Sequence, residues 1–366
     1  MPMIRYLRER LIVSILQLIS DPGTQAMRTT KLLSASCFAI LALISAGSVV
    51  AQGLQPAAYG SDASCCAAAI DDCGCDDCCG GGWSWFAGYE NVIVKPIFSG
   101  NTAVFDENGA DPTVHSSFDW EMEYSPRFFF GFQNGCGTAI TARYWTFDHT
   151  TAFSRTEVGG EDLAVRPGSF TSPSLGVDGT VNASHSLKMD VIDLEASQRV
   201  DLGCLIITAG GGIRYADMEQ SGFWSETGGS EEMILNHDFR GAGPTVMMEF
   251  SKPVGCWDVF VLTRGSMLMG ERNWRLQDED LNNPDERYSY DTIVGVGEMQ
   301  LGVERNYCLS SGSIFSLRAA LESQLWFNGG SISAGEASTA ARGTGPRADQ
   351  LHMGFFGFNL TTAFEY

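Results

Sequence analysis

From Trp83 onward the chain alternates apolar and polar residues with a period of two, the repeat of a strand with one face in an apolar environment. The cleanest run places Phe118, Trp120, Met122, Tyr124, Pro126, Phe128, Phe130 and Phe132 on one face, against Asp119, Glu121, Glu123, Ser125 and Arg127 on the other. Near the C-terminus Phe315, Leu317, Ala319, Leu321, Leu325 and Phe327 alternate with Ser316, Arg318, Glu322 and Gln324. The pattern predicts strands at 83–94, 115–132, 138–149, 185–200, 205–220, 235–250, 257–272, 289–305, 313–328 and 350–366.

The connections alternate in length. Tight turns at 133–137, 201–204, 251–256 and 306–312 separate long polar stretches such as DENGADP at 106–112, SETGGSEE at 225–232 and QDEDLNNPDE at 277–286. An even strand count with short turns at one end and long loops at the other fits an all-β fold: a transmembrane, antiparallel, up-and-down β-barrel of about ten strands (8–12), turns periplasmic and loops extracellular. Soluble sandwiches and lipocalin-like barrels also alternate. Strands of 15 residues or more exceed the roughly 5–6 usual in globular sheets, however, and suit tilted membrane strands. The last strand ends on Phe356, Phe358, Leu360, Thr362, Phe364 and Tyr366 in one row, a C-terminal signature that barrel-insertion machinery would read.

Residues 27–51 change the picture upstream. Arg28 and Lys31 precede an apolar run from Leu32 to Val50, and Val49 and Ala51 are placed for signal-peptidase cleavage before Gln52. This reads as a secretory signal, which makes Met27 the expected start and 1–26 an upstream, non-native extension. The alternative is a cytoplasmic tail followed by an anchor helix. After Gln52 no run of about 18 apolar residues follows, so any further membrane insertion must use strands. Residues 52–82, rich in Ala, Gly, Asp and Cys, have little to bury and read as a disordered tether, leaving 83–366 for the barrel. The net charge of −21 without a Lys/Arg cluster argues against nucleic acid as a partner.

The segment MDVIDLEASQRVDLGCLIITAGGGIRYADMEQ (189–220) and the aromatic last strand resemble the Legionella-type major outer membrane protein family of pore-forming barrels, over most of Trp83–Tyr366. Tyr366 stands where that family more often has Phe, and the N-terminal segment is unusually rich in cysteine. The resemblance implies an outer-membrane location, with lipid and the insertion machinery as partners.

Eleven cysteines occur. Cys37 lies in the signal; Cys65, Cys66, Cys73, Cys75, Cys78 and Cys79 crowd the tether; Cys136, Cys204, Cys256 and Cys308 each fall in a short turn. All ten after the signal would face the periplasm, where disulfides persist. The resemblance implies disulfides within one barrel or between neighbours, subject to a Cα separation under about 7 Å. The alternatives are no defined role, and metal binding by CGCDDCC, although paired CxxC motifs with a long spacer are absent.

No GxSxG, HExxH, Walker loop or strand-to-helix GxGxxG occurs, so neither an enzyme nor a cofactor is expected; the nearest hydrolase candidate is His185 with Ser184 or Ser186. If one face of each strand meets lipid, the other lines a lumen. The inward candidates are Glu121, Glu123, Arg127, Arg143, Arg214, Arg264, Glu298, Arg318 and Glu322. Their mixed signs fit a pore for ions or small solutes with a transverse field. They equally fit a lumen plugged by ion pairs, because clearly aqueous channels have more strands. A structural barrel displaying surface loops is the third reading.

Overall fold

The computed structural model describes residues 82–106, 115–158, 163–165, 175–177, 179–227, 232–278, 286–310, 312–332 and 352–366. The expected signal, the tether and its six cysteines lie outside these residues.

In hydrocarbon a backbone amide has no water to bond, so strands enter only as a sheet without a free edge. Ten strands meet that condition: β1 (Trp83–Phe98), β4 (Glu123–Asn134), β5 (Thr138–Thr156), β8 (Thr180–Asp201), β9 (Ile206–Glu226), β10 (Glu232–Val254), β11 (Trp257–Asp278), β12 (Glu286–Cys308), β13 (Ile314–Phe327) and β14 (Met353–Glu365). They form a closed barrel in the order β1-β14-β13-β12-β11-β10-β9-β8-β5-β4, every neighbouring pair antiparallel, with β4 returning to β1. Closure brings the two ends of the barrel together, Phe86 opposite Glu365, and Trp85 and Tyr366 exchange backbone hydrogen bonds of 3.2 and 2.9 Å. Four short strands, β2 (Thr102–Asp106), β3 (His115–Ser117), β6 (Leu163–Val165) and β7 (Leu175–Val177), make a second sheet in the order β3-β2-β6-β7 at the loop end.

The expected all-β barrel of about ten strands is therefore present, with two differences. Most strands run further toward the loop end than the alternation suggested, β8 starting at Thr180 and β11 ending at Asp278. The expected strand 115–132 is also broken: β3 ends at Ser117, coil covers 118–122, and β4 begins at Glu123.

Both differences have one physical cause, an inversion of the amphipathic phase partway up the barrel. In the turn-end half of β8, Ile192 and Leu194 are exposed on the outer surface while Asp193 and Glu195 are buried inside. Toward the loop end of the same strand, Leu187, Met189 and Val191 are buried inside, and the outward row carries Lys188 and Asp190. β5 changes in the same sense, from outward Ile140 and Tyr144 to inward Trp145 and Phe147. So does β10, from outward Val246, Met248 and Phe250 to inward Met233, Leu235 and Phe239. The turn-end half thus presents apolar residues outward, as lipid requires, and the loop-end half buries them, as water requires.

The outer charged side chains at this change of phase sit on adjoining strands: Asp190, Asp217, Glu219, Asp238, Arg240, Glu271 and Asp291. Above them the barrel is filled by an apolar core that includes Trp120, Trp224, Trp326, Phe147, Phe239 and Phe355, all essentially inaccessible. The second sheet joins this core, Ala103, Val104, Leu163 and Val165 being fully buried, and Trp224 Nε1 donates to the Ala103 carbonyl at 2.9 Å.

Candidate functional site in the barrel lumen

The turn-end half of the lumen is lined by charge. Most inward positions there have apolar outward neighbours, as Asp193 has Ile192 and Leu194 and Arg214 has Ile213 and Tyr215, and strand alternation turns the charged side chain between them into the barrel. Five guanidinium groups, of Arg127, Arg143, Arg214, Arg264 and Arg318, meet seven carboxylates.

The contacts form three groups. In the first, β8 supplies both ends of a closed circuit: Asp193 accepts from Arg214 of β9 at 2.5 and 2.8 Å, and Arg214 donates to Glu298 of β12 at 2.6 Å. Glu298 also accepts from Arg264 of β11 at 2.9 Å, and Arg264 donates to Glu195, back on β8, at 2.8 and 3.1 Å. In the second, Arg127 of β4 donates to Glu90 of β1 at 2.7 Å and to both oxygens of Glu322 of β13 at 2.6 and 3.2 Å. Glu322 is completed by the amides of Gln300, Gln324 and Asn359. In the third, nearest the turns, Arg318 of β13 donates to Glu249 of β10 and Glu304 of β12. The Arg127–Glu322, Arg264–Glu195 and Arg318–Glu249 links each skip two intervening strands, so they bridge the lumen rather than follow its wall.

Arg143 differs from the rest. Its Nε lies 3.9 Å from Glu90, and neither Nε nor one Nη makes a hydrogen bond.

Of the predicted inward residues, Arg127, Arg143, Arg214, Arg264, Glu298, Arg318 and Glu322 occupy this network. Glu121 does not: it is exposed in the coil 118–122, because the strand pattern is interrupted there. Glu123 sits at the loop end of β4, 3.3 Å from His149, away from the other charges. Phe118 and Trp120, placed with the outer apolar face by the alternation, are instead buried in the loop-end core. Glu90, Asp193, Glu195, Glu249 and Glu304 were missed. Three of them, Asp193, Glu195 and Glu249, alternate with apolar neighbours in VIDLEA and MMEF, and that signal could have found them.

His185 lies inside the barrel, whereas Ser184 and Ser186 belong to the opposite face of β8, so the suggested Ser–His pairing cannot form. The turn cysteines are not alike. Cys204, Cys256 and Cys308 are disulfide-bonded, while Cys136 is an exposed free thiol.

The sequence family described as Legionella pneumophila major outer membrane protein precursor matches residues 82–365. No curated protein matches. Among solved structures the chain is similar to the outer membrane protease OmpT from Escherichia coli (11% identity, 77% of this chain, 96% of that one, TM-score 0.38). It is also similar to the toluene transporter TodX of Pseudomonas putida (9%, 78% and 89%, TM-score 0.30) and to the attachment invasion locus protein Ail of Yersinia pestis (8%, 78% and 99%, TM-score 0.22).

Proposed function

The chain belongs to the Legionella pneumophila major outer membrane protein family, and on that premise we propose that this outer-membrane barrel is a narrow pore for ions or small solutes, held shut at rest by its cross-lumen ion pairs. The observation that carries the reading is the network itself. Buried charge is expensive, and apolar side chains of similar volume would seal a barrel of this size at equal or lower cost. Five arginines and seven carboxylates kept at membrane depth are better explained by a path that water and ions use. Arg143, with guanidinium nitrogens left unbonded beside Glu90 and the Arg127 group, is a ready alternative partner when those pairs separate.

The second reading is a plugged barrel that anchors surface loops, with its disulfide-bonded turns facing the periplasm. The apolar filling of the loop-end half favours it. Single-channel recording on residues 52–366 refolded into planar bilayers separates the two, with heat-modifiable gel migration as the check on folding. Discrete ion-selective steps, altered in size or selectivity by Arg318→Glu, support the pore. A folded barrel that never conducts removes the pore reading and leaves the plugged one.

A further inference from the structure

Two histidines in the loop-end half stand apart from the charged lumen below. His237 of β10 is fully buried, stacked on Trp274 at 4.0 Å between ring centroids, and His185 of β8 lies against Trp120, Phe98 and Phe118 at 4.9 to 5.4 Å. None of their four ring nitrogens makes a hydrogen bond.

His237 is also the floor on which residues 328–332 rest after β13. Gly330 has φ of +81°, and a Cβ there would sit 2.3 Å from the imidazole Cε1, so glycine is required. Around this contact Gln220 Nε2 reaches the carbonyls of Gly329 and Gly330, Arg272 donates to the Asn328 carbonyl, and Ser331 Oγ donates to the Gly100 carbonyl at 2.5 Å. Ser331 and Ile332 are fully buried as a result.

We propose that His237 and His185 form an acid-sensitive latch: protonating them expels the 328–332 arm from the lumen and opens the loop end of the barrel. Among the described residues a proton would find one neutral acceptor, Gln220, whose Oε1 is otherwise without a partner and which favours the charged form of His185, and no carboxylate. His237 is faced by Gln220 from β9, by Trp274 and Arg272 from β11 with Tyr290 of β12 behind Trp274, and by His185 from β8; the arm brings no titratable side chain. His185 is faced by its aromatic cage, by Thr151 of β5 and Gln220, with His149 beyond Trp120. Among the described residues neither imidazole has a carboxylate within ion-pair reach, Glu123 being engaged with His149. A second cation would instead adjoin Arg272.

Both rings lie beyond the outer charged residues that mark the end of the lipid-facing surface, outside the membrane-spanning part of their strands. Burial holds His185 down to about 3, and burial with Arg272 beside it holds His237 well below the ordinary imidazole range. A released imidazole titrates near 6.5. The closed arrangement is therefore at full strength above about 6.5 and weakens as pH falls below it. Each histidine shifts the balance toward release by roughly 30-fold at pH 5.

The test uses the full chain in vesicles, with Ser331→Cys labelled by a membrane-impermeant thiosulfonate, the modification read at residue 331 by peptide mass spectrometry because Cys136 is itself a free thiol, and rates normalised to Glu121→Cys, an exposed site. The expected result is a relative rate at least about 30-fold higher at pH 5 than at pH 8. In the His185→Phe/His237→Phe background it stays flat, with heat-modifiable migration confirming a folded barrel. Should that background not fold, His185→Gln/His237→Gln replaces it, being uncharged at every pH. A rate ratio that is the same at both pH values, or one that rises equally without the histidines, overturns the latch.

Discussion

Arg127→Met is the most informative single change in the lumen. The guanidinium is 3% exposed and serves two carboxylates, Glu322 at 1% and Glu90 at 7%. Removing one member of a buried ion pair costs about 3–5 kcal/mol, because the remaining charge is stranded, whereas an ion pair in water is worth about 0–1 kcal/mol. The expected loss is at the lower end of that range, since Glu322 keeps its three amide donors and Glu90 keeps Arg143 3.9 Å away. The triple variant Glu90→Gln/Arg127→Met/Glu322→Gln strands neither carboxylate, takes from Arg143 only an acidic neighbour 3.9 Å away, and is expected to lose less than Arg127→Met. Reversible urea unfolding in lipid vesicles, followed by tryptophan fluorescence, measures both values, and bilayer recording on the same samples should show larger conductance for Arg127→Met. A loss below about 1 kcal/mol for Arg127→Met would mean that the pair already behaves as in water and does not close the lumen. Equal losses for the single and triple variants would mean that stranded charge is not the cause.

The turn cysteines make a covalent prediction: alkylation without reductant should modify Cys136, while Cys204, Cys256 and Cys308 become reactive only after reduction, as peptide mass spectrometry would read directly. Gly243→Ala is expected to cost at least about 1–3 kcal/mol, because a Cβ there would lie 1.9 Å from the Met267 carbonyl oxygen. Gly265→Ala, which meets nothing within 4 Å, should stay within about 0.5 kcal/mol, and the same urea titration compares the two.

Strand number, order and the short turns were legible in the sequence because alternation and turn spacing are local signals that the barrel obeys throughout its lipid-facing half. Asp193 and Glu195 show what was lost by reading each strand as a single pair of faces. They fall on the face that Leu187, Met189 and Val191 also occupy, so the row reads as mixed until the phase change is recognised. The row from Phe118 to Phe132 failed in the complementary way: it joins core residues to lipid-facing ones across an interrupted strand. Which carboxylate each arginine takes was not legible, because the bridging pairs join strands remote in sequence, as Arg127 and Glu322 do. The docking of 328–332 on His237 was equally hidden, being a contact between an irregular segment and a distant strand.

The phase inversion along the strands also constrains how the protein reaches its place. A cylinder formed before insertion could not slide loop-first through the bilayer, since Asp190, Asp217, Arg240 and Glu271 would cross the hydrocarbon on its outer surface. Such side chains cost up to about 2–4 kcal/mol apiece at the midplane for Arg, less for acids. Hairpins that cross before the wall closes can keep those groups against one another or against a protein surface. The same chemistry that sets the finished barrel's depth therefore favours assembly strand by strand, with the β1–β14 seam closing last.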